Sequence, residues 1–126
     1  MAEAQNFNLA AKNYTSHEFV PSTEDVPWGG VYNKENIKAR TTTTRAFYAR
    51  GDRDAAAGTE GTLTYKSTSD SSITLTFSWS VPWGLGSTYL NVSTTGPIKL
   101  EKSSFAEDEV LRQVVTIGIK DDVPLL

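Results

Sequence analysis

Strict alternation of apolar and hydroxyl-bearing residues in one short run is the feature that most limits how this chain can fold. Over residues 73–80 the apolar residues are Ile73, Leu75, Phe77 and Trp79. Each is followed by a hydroxyl-bearing residue: Thr74, Thr76, Ser78 and Ser80. Successive side chains of a strand point to opposite faces, so a period of two indicates a strand with one buried face. Pro82 cannot donate to a ladder hydrogen bond, and the strand is predicted to end before it.

A second strand pattern directly precedes this one and is predicted to pair with it. It runs from Thr59 to Tyr65, and the connector of residues 67–72 contains only serine, threonine and aspartate. Small polar residues between two strand patterns predict a β-hairpin. Other short strand patterns lie at residues 7–11, 18–20, 37–50, 87–95, 98–100 and 110–120. Many short strands joined by turns predict an all-β sandwich or barrel.

Two segments depart from the strand pattern. Residues 21–36 are rich in proline, glycine and asparagine, which predicts a loop. The sequence Ser104-Phe105-Ala106-Glu107 fits a capping box, and apolar residues at helical spacing follow it. A single helical turn is therefore predicted ahead of the last strand.

Length and composition limit the classes of protein that remain. The chain has 126 residues, which predicts a single domain spanning residues 1–126. It contains no cysteine and one histidine, which excludes disulfides, thiolate metal sites and cysteine nucleophiles. No pair of carboxylates stands out by its spacing, so we expect no catalysis, no cofactor and no metal site. The net charge of −3 gives no overall attraction to nucleic acid.

Two tryptophans fall where the pattern predicts turns. Trp28 lies in the segment Pro27-Trp28-Gly29-Gly30-Val31-Tyr32, and Trp83 lies in Pro82-Trp83-Gly84. Each of them either covers an end of the core or forms part of a binding surface, as aromatic residues on loops often do. Trp79 instead belongs to the apolar strand face and is predicted to be buried.

Half of the basic residues are concentrated in one part of the chain. They are six of the twelve: Lys34, Lys38, Arg40, Arg45, Arg50 and Arg53. One interpretation is a strand whose polar face is simply solvated. The other is a basic surface that binds lipid phosphate groups or an acidic partner protein.

The stretch from Gly51 to Gly84 resembles the aegerolysins of fungi and bacteria. The matching residues are a loop with Gly51 and Asp54-Ala55-Ala56, the strand start Gly58-Thr59-Glu60-Gly61-Thr62, and the aromatic Phe77-Ser78-Trp79 followed by Pro82-Trp83-Gly84. The same strand start, the Gly29-Gly30 pair ahead of Tyr32 and the short chain are also similar to the aegerolysin-like small component of bacterial binary insecticidal crystal toxins.

This resemblance implies both a fold and a function. The implied fold is an antiparallel β-sandwich in a single domain. The implied function is binding to membrane lipids of target cells and pore formation, with a larger pore-forming toxin component as partner and with self-association on the membrane. Haemolytic, cytolytic or insecticidal activity would follow. Because the first residues lack the basic and apolar segments of a secretory signal peptide, we expect the chain to stay in the cytoplasm, or in a spore or crystal, until release.

The residues predicted to bind lipid are Trp28, Tyr32, Trp83, Tyr89, Arg50 and Arg53. Tryptophan suits a membrane interface because its ring enters the acyl boundary while its N–H stays hydrogen-bonded, and arginine pairs with phosphate. The weak net charge favours neutral or zwitterionic headgroups over anionic ones. Two alternatives remain at this point: a soluble lectin that stacks the same aromatics on sugar rings, and a docking protein without a ligand of its own.

Overall fold

The predicted hairpin lies at the centre of one of two sheets. The computed structural model describes residues 6–50, 59–81, 89–103, 106–107 and 113–121, and these residues form ten strands and no helix. The strands are β1 (Asn6–Asn13), β2 (Phe19–Trp28), β3 (Gly30–Tyr32), β4 (Thr41–Arg50), β5 (Thr59–Ser67), β6 (Thr74–Val81), β7 (Tyr89–Thr94), β8 (Ile98–Lys102), β9 (Ala106–Glu107) and β10 (Gln113–Asp121). The β5–β6 pair confirms the hairpin.

The two sheets differ in strand direction. The first, which we call the hairpin sheet, has the order β2-β5-β6-β7, and all its pairs are antiparallel. The second, the six-stranded sheet, has the order β3-β4-β1-β10-β8, and β9 also pairs with β10. Within it β1 and β10 run parallel, whereas the other pairs are antiparallel. The all-β sandwich is therefore confirmed, with one parallel pair inside the second sheet.

The apolar face predicted for the second hairpin strand points into the core. Its four members are at most 5% exposed: Ile73, Leu75, Phe77 and Trp79. From the other sheet, the ring of Phe47 lies 5.6 Å from the ring of Phe77 and 5.4 Å from that of Trp79, centroid to centroid. The indole Nε1 of Trp79 donates a hydrogen bond to Thr59 Oγ1 at 3.1 Å, so burial leaves this polar group satisfied.

The loop predicted at residues 21–36 is wrong for residues 21–28 and 30–32, which lie in strands. β2 continues through Pro21 and Pro27 to Trp28, and β3 begins two residues later. The reason is that β2 is an edge strand, where the missing N–H of a proline can face away from the sheet. The pairing with β5 also shifts register between Pro21 and Thr23 and again between Asp25 and Trp28, which is how edge strands accommodate irregular residues.

The helical turn predicted after the capping-box pattern is wrong at residues 106–107. These two residues form β9 and pair with the start of β10. Their backbone groups therefore find partners across a ladder rather than within a turn, so tertiary pairing overrides the local signal. Ser104, Phe105 and residues 108–112, which complete the predicted turn, lie outside the described residues.

β4 begins at Thr41, four residues later than predicted. Ile37 makes only an isolated bridge to Phe19, and residues 39–40 form a turn. Arg40 has a φ of 54°, which lies in the left-handed region and cannot continue a strand. From Thr41 onward the chain is extended, as its run of β-branched threonines predicts.

Tyr65 places a hydroxyl inside the core. Its oxygen lies 3.0 Å from the carbonyl oxygen of Glu35 and 3.1 Å from that of Ala46, and it donates to this pair. Burial, with a smaller contribution from the charge of Glu35, raises the pKa of Tyr65. The folded state thus favours the neutral hydroxyl. This contribution to stability is complete below the unfolded pKa of about 10 and is lost as the pH rises from there toward the folded pKa.

We expect Tyr65→Phe to lower the free energy of unfolding by about 1–2 kcal/mol, because it removes the hydroxyl donor of the Glu35 carbonyl oxygen, whereas the Ala46 carbonyl oxygen still accepts from the N–H of Glu35. Urea unfolding at neutral pH measures this loss, and urea unfolding slightly above the unfolded pKa of about 10 measures how much stability depends on the neutral hydroxyl. The wild type should lose more stability over this interval than Tyr65→Phe does. Equal losses in the two proteins would contradict a buried neutral hydroxyl at this position.

Candidate functional site

One end of the hairpin sheet brings four residues from four strands into a single row. Trp28 lies opposite Glu60, Glu60 opposite Ser80, and Ser80 opposite Tyr89. We call these four residues the end row. Because neighbouring strands lie about 4.8 Å apart, Trp28 and Tyr89 are separated by about 14 Å across the sheet.

Three members of the end row, Glu60, Ser80 and Tyr89, belong to the outer face of the hairpin sheet. Their neighbours along β5, β6 and β7 are buried: Thr59, Val81 and Leu90. Side chains alternate along a strand, so Glu60, Ser80 and Tyr89 point away from the core. Tyr89 is 43% exposed and presents its ring at the rim of the sheet.

Gly29 carries the chain from one sheet to the other at this end. It has a φ of 77°, and a Cβ placed on it would lie 2.2 Å from the carbonyl oxygen of Arg50 and 2.9 Å from Thr59 Oγ1. Only glycine combines this conformation with so close an approach. The crossing therefore brings the last residue of β4 and the first residue of β5 together, and the backbone of Arg50 lies beside Gly29.

Arg50 and Tyr32 form a cation–π pair on the six-stranded sheet at this end. The guanidinium carbon Cζ lies 4.8 Å from the centroid of the Tyr32 ring, which is 44% exposed. The ring also lies back over Gly30, since a Cβ there would be 2.6 Å from the Tyr32 hydroxyl oxygen. Stacking covers one face of the guanidinium group and leaves the N–H groups, which lie in its plane, uncovered by the ring. Such N–H groups can bind phosphate oxygens in pairs.

The end row includes a carboxylate, Glu60, that the sequence analysis did not assign to the site. Its place follows from its pairing with Trp28 and Ser80. A signal was present in the sequence, because Glu60 interrupts a run of small and β-branched residues at an outward position. Because Ala49 and Thr59 are buried, Arg50 points outward from the six-stranded sheet and Glu60 from the hairpin sheet, so the two charges lie at the same end but on opposite outer faces.

The structure brings together the four predicted lipid-binding residues that it describes. Trp28 and Tyr89 are the two ends of the row, and Arg50 and Tyr32 lie at the same end of the sandwich on the six-stranded sheet. Trp83 and Arg53 lie outside the described residues. In sequence they belong to the segments that follow Val81 and Arg50, the last residues of β6 and β4.

The described basic residues from Lys34 to Arg50 are spread along the chain rather than gathered at one end of β4. Lys34 makes an ion pair with Glu24. Lys38 and Arg40 precede the first residue of β4, and Arg50 is its last. At about 3.3 Å per residue, the two ends of this strand are about 30 Å apart. Of Lys34, Lys38, Arg40 and Arg50, only Arg50 therefore lies at the candidate site.

The described ranges hold neither a group of potential metal ligands nor a membrane-spanning helix. Within them, no three histidine, aspartate or glutamate side chains are grouped closely enough to hold a metal ion. Nor do those ranges contain a helix with the length and apolarity needed to cross a membrane.

Comparisons with known proteins place the fold. No protein-family model matches the chain, and no curated protein matches it in sequence. The RahU protein, solved in complex with a TRIS molecule, superposes with a TM-score of 0.72 at 16% identity, covering 98% of this chain and 100% of that one. IP-1A from Alcaligenes faecalis gives 0.67 at 16% identity, covering 97% and 94%. The lipid binding protein Nakanori gives 0.69 at 14% identity, covering 94% and 71%.

These three proteins have the aegerolysin-type fold, so this chain has it as well. The resemblance in the sequence is thereby confirmed at the level of the fold. The overall class is a β-sandwich with a candidate binding site at one end, built from aromatic side chains, one guanidinium group and one carboxylate.

Proposed function

We propose that this protein binds membrane lipids through the end of the sandwich that carries the end row. The observation that carries the proposal is the convergence of Trp28, Tyr89, Arg50 and Tyr32, which are distant in sequence, at one end of the fold. The shared fold with a protein described as lipid binding supports the same class of ligand.

Each component of the site has a part in this proposal. Exposed aromatic rings such as that of Tyr89 enter the boundary between headgroups and acyl chains, where an apolar ring with a polar tip is favourable. The guanidinium group of Arg50, stacked on Tyr32, binds the lipid phosphate. Glu60 accepts a hydrogen bond from a headgroup ammonium or hydroxyl group. Neutral or zwitterionic lipids suit this mixed charge better than anionic lipids do.

We extend the proposal to a two-component toxin, as the resemblance in the sequence implies. The protein would bind the target membrane, and a larger pore-forming component would assemble on it. It would act as a binding protein rather than an enzyme, outside the cell that produces it. Leakage of dye-filled vesicles, measured with this protein alone and with a candidate partner, tests this extension separately from lipid binding.

Cosedimentation with vesicles of phosphatidylcholine, phosphatidylethanolamine or sphingomyelin tests lipid binding itself. Tyr89→Ala should weaken binding to the responding vesicle roughly tenfold, the effect of about 1.4 kcal/mol. The thermal midpoint should stay within a few degrees, because an exposed side chain contributes little to folding. Trp28→Ala and Trp83→Ala should weaken binding in the same direction.

Tyr14→Ala is the matched control, since Tyr14 is an exposed tyrosine, 58% accessible, at the opposite end of the sandwich. It should leave vesicle binding unchanged. Equal weakening by Tyr14→Ala and Tyr89→Ala would show that the end row is not the lipid site. Retention on a glycan array without binding to any vesicle would replace the lipid proposal with carbohydrate binding.

A further inference from the structure

A cleft at the other end of the six-stranded sheet collects positive charge. It has a volume of about 200 Å³ and is lined by Lys12, Asn13, Tyr14, Arg40, Thr41 and Thr42. None of these residues is acidic, although the chain as a whole carries a net charge of −3. Ammonium, guanidinium and hydroxyl groups are all donors to phosphate oxygens. A water molecule takes about 30 Å³, so the cleft has room for a phosphate group.

The turn that forms one wall of the cleft is held in place by a buried asparagine. Asn13 is 2% exposed, and its Nδ2 donates to the carbonyl oxygens of His17 at 2.7 Å and Lys38 at 3.1 Å. Its Oδ1 accepts from the N–H and the hydroxyl of Thr15, at 3.0 and 2.8 Å. Tyr14 is thereby fixed on the outside of the turn. A wall ordered before binding reduces the entropy lost when a ligand binds.

Arg40 stands on the other wall in a conformation that costs stability. Its φ is 54°, and its backbone N–H donates to the carbonyl oxygen of Thr15 at 3.1 Å. Glycine or asparagine occupies the left-handed region at lower cost than arginine does. Backbone strain of this kind is concentrated at functional positions, so an arginine here indicates a use for its side chain.

The charge of the cleft is not neutralised within the described part of the chain. Lys120 lies beyond Tyr14, with its Nζ 5.6 Å from the centroid of the ring, and it pairs with Glu101 at 3.2 Å. Lys12 and Arg40 form no such pair with any carboxylate of the described residues. Among the described residues, the positive charges of Lys12 and Arg40 are therefore left without an ion-pair partner.

We propose that this cleft binds a phosphate monoester group, held between Lys12 and Arg40 beside Tyr14. A monoester carries close to two negative charges at neutral pH, which matches two cations, whereas a diester carries one. The cleft lies at the start of β4, about 30 Å from Arg50 at the strand's end, so the site does not depend on the lipid-binding proposal. The group can be carried by a small phosphorylated molecule or by a lipid with an exposed monoester headgroup.

Titration with inorganic phosphate, followed by amide chemical shifts in NMR spectra, tests the proposal. The solution should contain only about 0.05 M chloride, because salt screens exposed charges. Saturable shifts are expected at Tyr14 and at residues 40–42. Lys12→Gln should weaken the affinity for phosphate about tenfold, since it removes a charge-assisted hydrogen bond. Lys66→Gln, which removes an exposed lysine on β5 of the other sheet, should leave the affinity unchanged.

Arg40→Gly separates binding from folding. It removes the guanidinium group and supplies a residue that suits a φ of 54°, so phosphate affinity should fall about tenfold while the thermal midpoint is kept. Asn33→Gly is its matched control, because Asn33 has the same φ of 54° and lies outside the cleft. Shifts that do not saturate, or an affinity that Arg40→Gly leaves unchanged, would overturn the proposal.

Vesicles of phosphatidylcholine with and without phosphatidic acid distinguish the two sources of the group. Phosphate binding that is sensitive to Arg40→Gly, with no gain from phosphatidic acid, supports a small phosphorylated ligand. A gain from phosphatidic acid that Arg40→Gly removes supports a lipid headgroup. If Arg40→Gly keeps both the phosphate binding and the gain from phosphatidic acid, the cleft is rejected as a site. Tyr89→Ala should leave the phosphate shifts intact, so failure of one proposal is distinguishable from failure of the other.

Discussion

Gly29→Ala is expected to lower the free energy of unfolding by at least about 3 kcal/mol. The new Cβ would lie 2.2 Å from a backbone oxygen, that of Arg50, and a backbone atom cannot rotate away as a side chain can. The φ of 77° adds a cost of about 1–2 kcal/mol for any residue with a Cβ. Both costs fall on the crossing between the two sheets, so lipid binding at the end row should be lost as well.

Gly118→Ala is the matched control for this substitution. Gly118 lies on β10, and a Cβ there would be 3.7 Å from the nearest atoms of Glu101, which is ordinary van der Waals contact. Alanine in place of glycine in a strand should leave stability unchanged or raise it slightly. Urea unfolding of both variants measures the difference. A loss below about 1 kcal/mol for Gly29→Ala would show that the crossing adapts more easily than its geometry indicates.

Phe77→Ala is expected to cost roughly 3–5 kcal/mol, because it leaves a cavity in a packed core. Phe77 is fully buried, and its ring lies 5.6 Å from that of Phe47 and 5.8 Å from that of Tyr65. The contacts join both sheets, so the loss affects the sandwich as a whole.

Ser93→Ala on β7 is the control for Phe77→Ala. Ser93 is exposed on the outer face of the same sheet. Ser93→Ala should change the free energy of unfolding by no more than about 0.5 kcal/mol. Denaturant titration of the two variants compares a core position with a surface position in one sheet. A Phe77→Ala loss of less than about 1 kcal/mol would mean that the alternation does not define the buried face.

The hairpin could be predicted from the sequence because its signal is local. Alternation over residues 73–80 depends only on which face of one strand is buried, and the polar connector fixes the pairing of two neighbouring strands. The part of β2 from Pro21 onward was missed for the opposite reason. Its prolines indicate a break unless the strand is known to lie at a sheet edge, and that is a property of the whole topology.

The candidate site could be predicted only in part. Trp28 was predicted as a site residue because it is an aromatic residue next to a proline and a glycine. Arg50 was predicted because it belongs to the basic run. The row that joins Trp28 to Tyr89 depends on the pairing of four strands, which the sequence does not state. The same holds for Glu60, which became part of the site through its neighbours across the sheet. The spread of the basic residues along β4 likewise follows from the strand being extended.

A single fluorescent label on the surface tests the central claim, that the end row meets the membrane, most directly. The chain contains no cysteine, so one introduced thiol is the only one labelled. Ser80→Cys places an environment-sensitive dye in the end row, and Thr68→Cys places it in the hairpin connector at the opposite end. When vesicles of the lipid that binds are added, emission from the dye at position 80 should shift to the blue, and emission from the dye at position 68 should not shift. A shift at position 68 alone, or equal shifts at both positions, would contradict it.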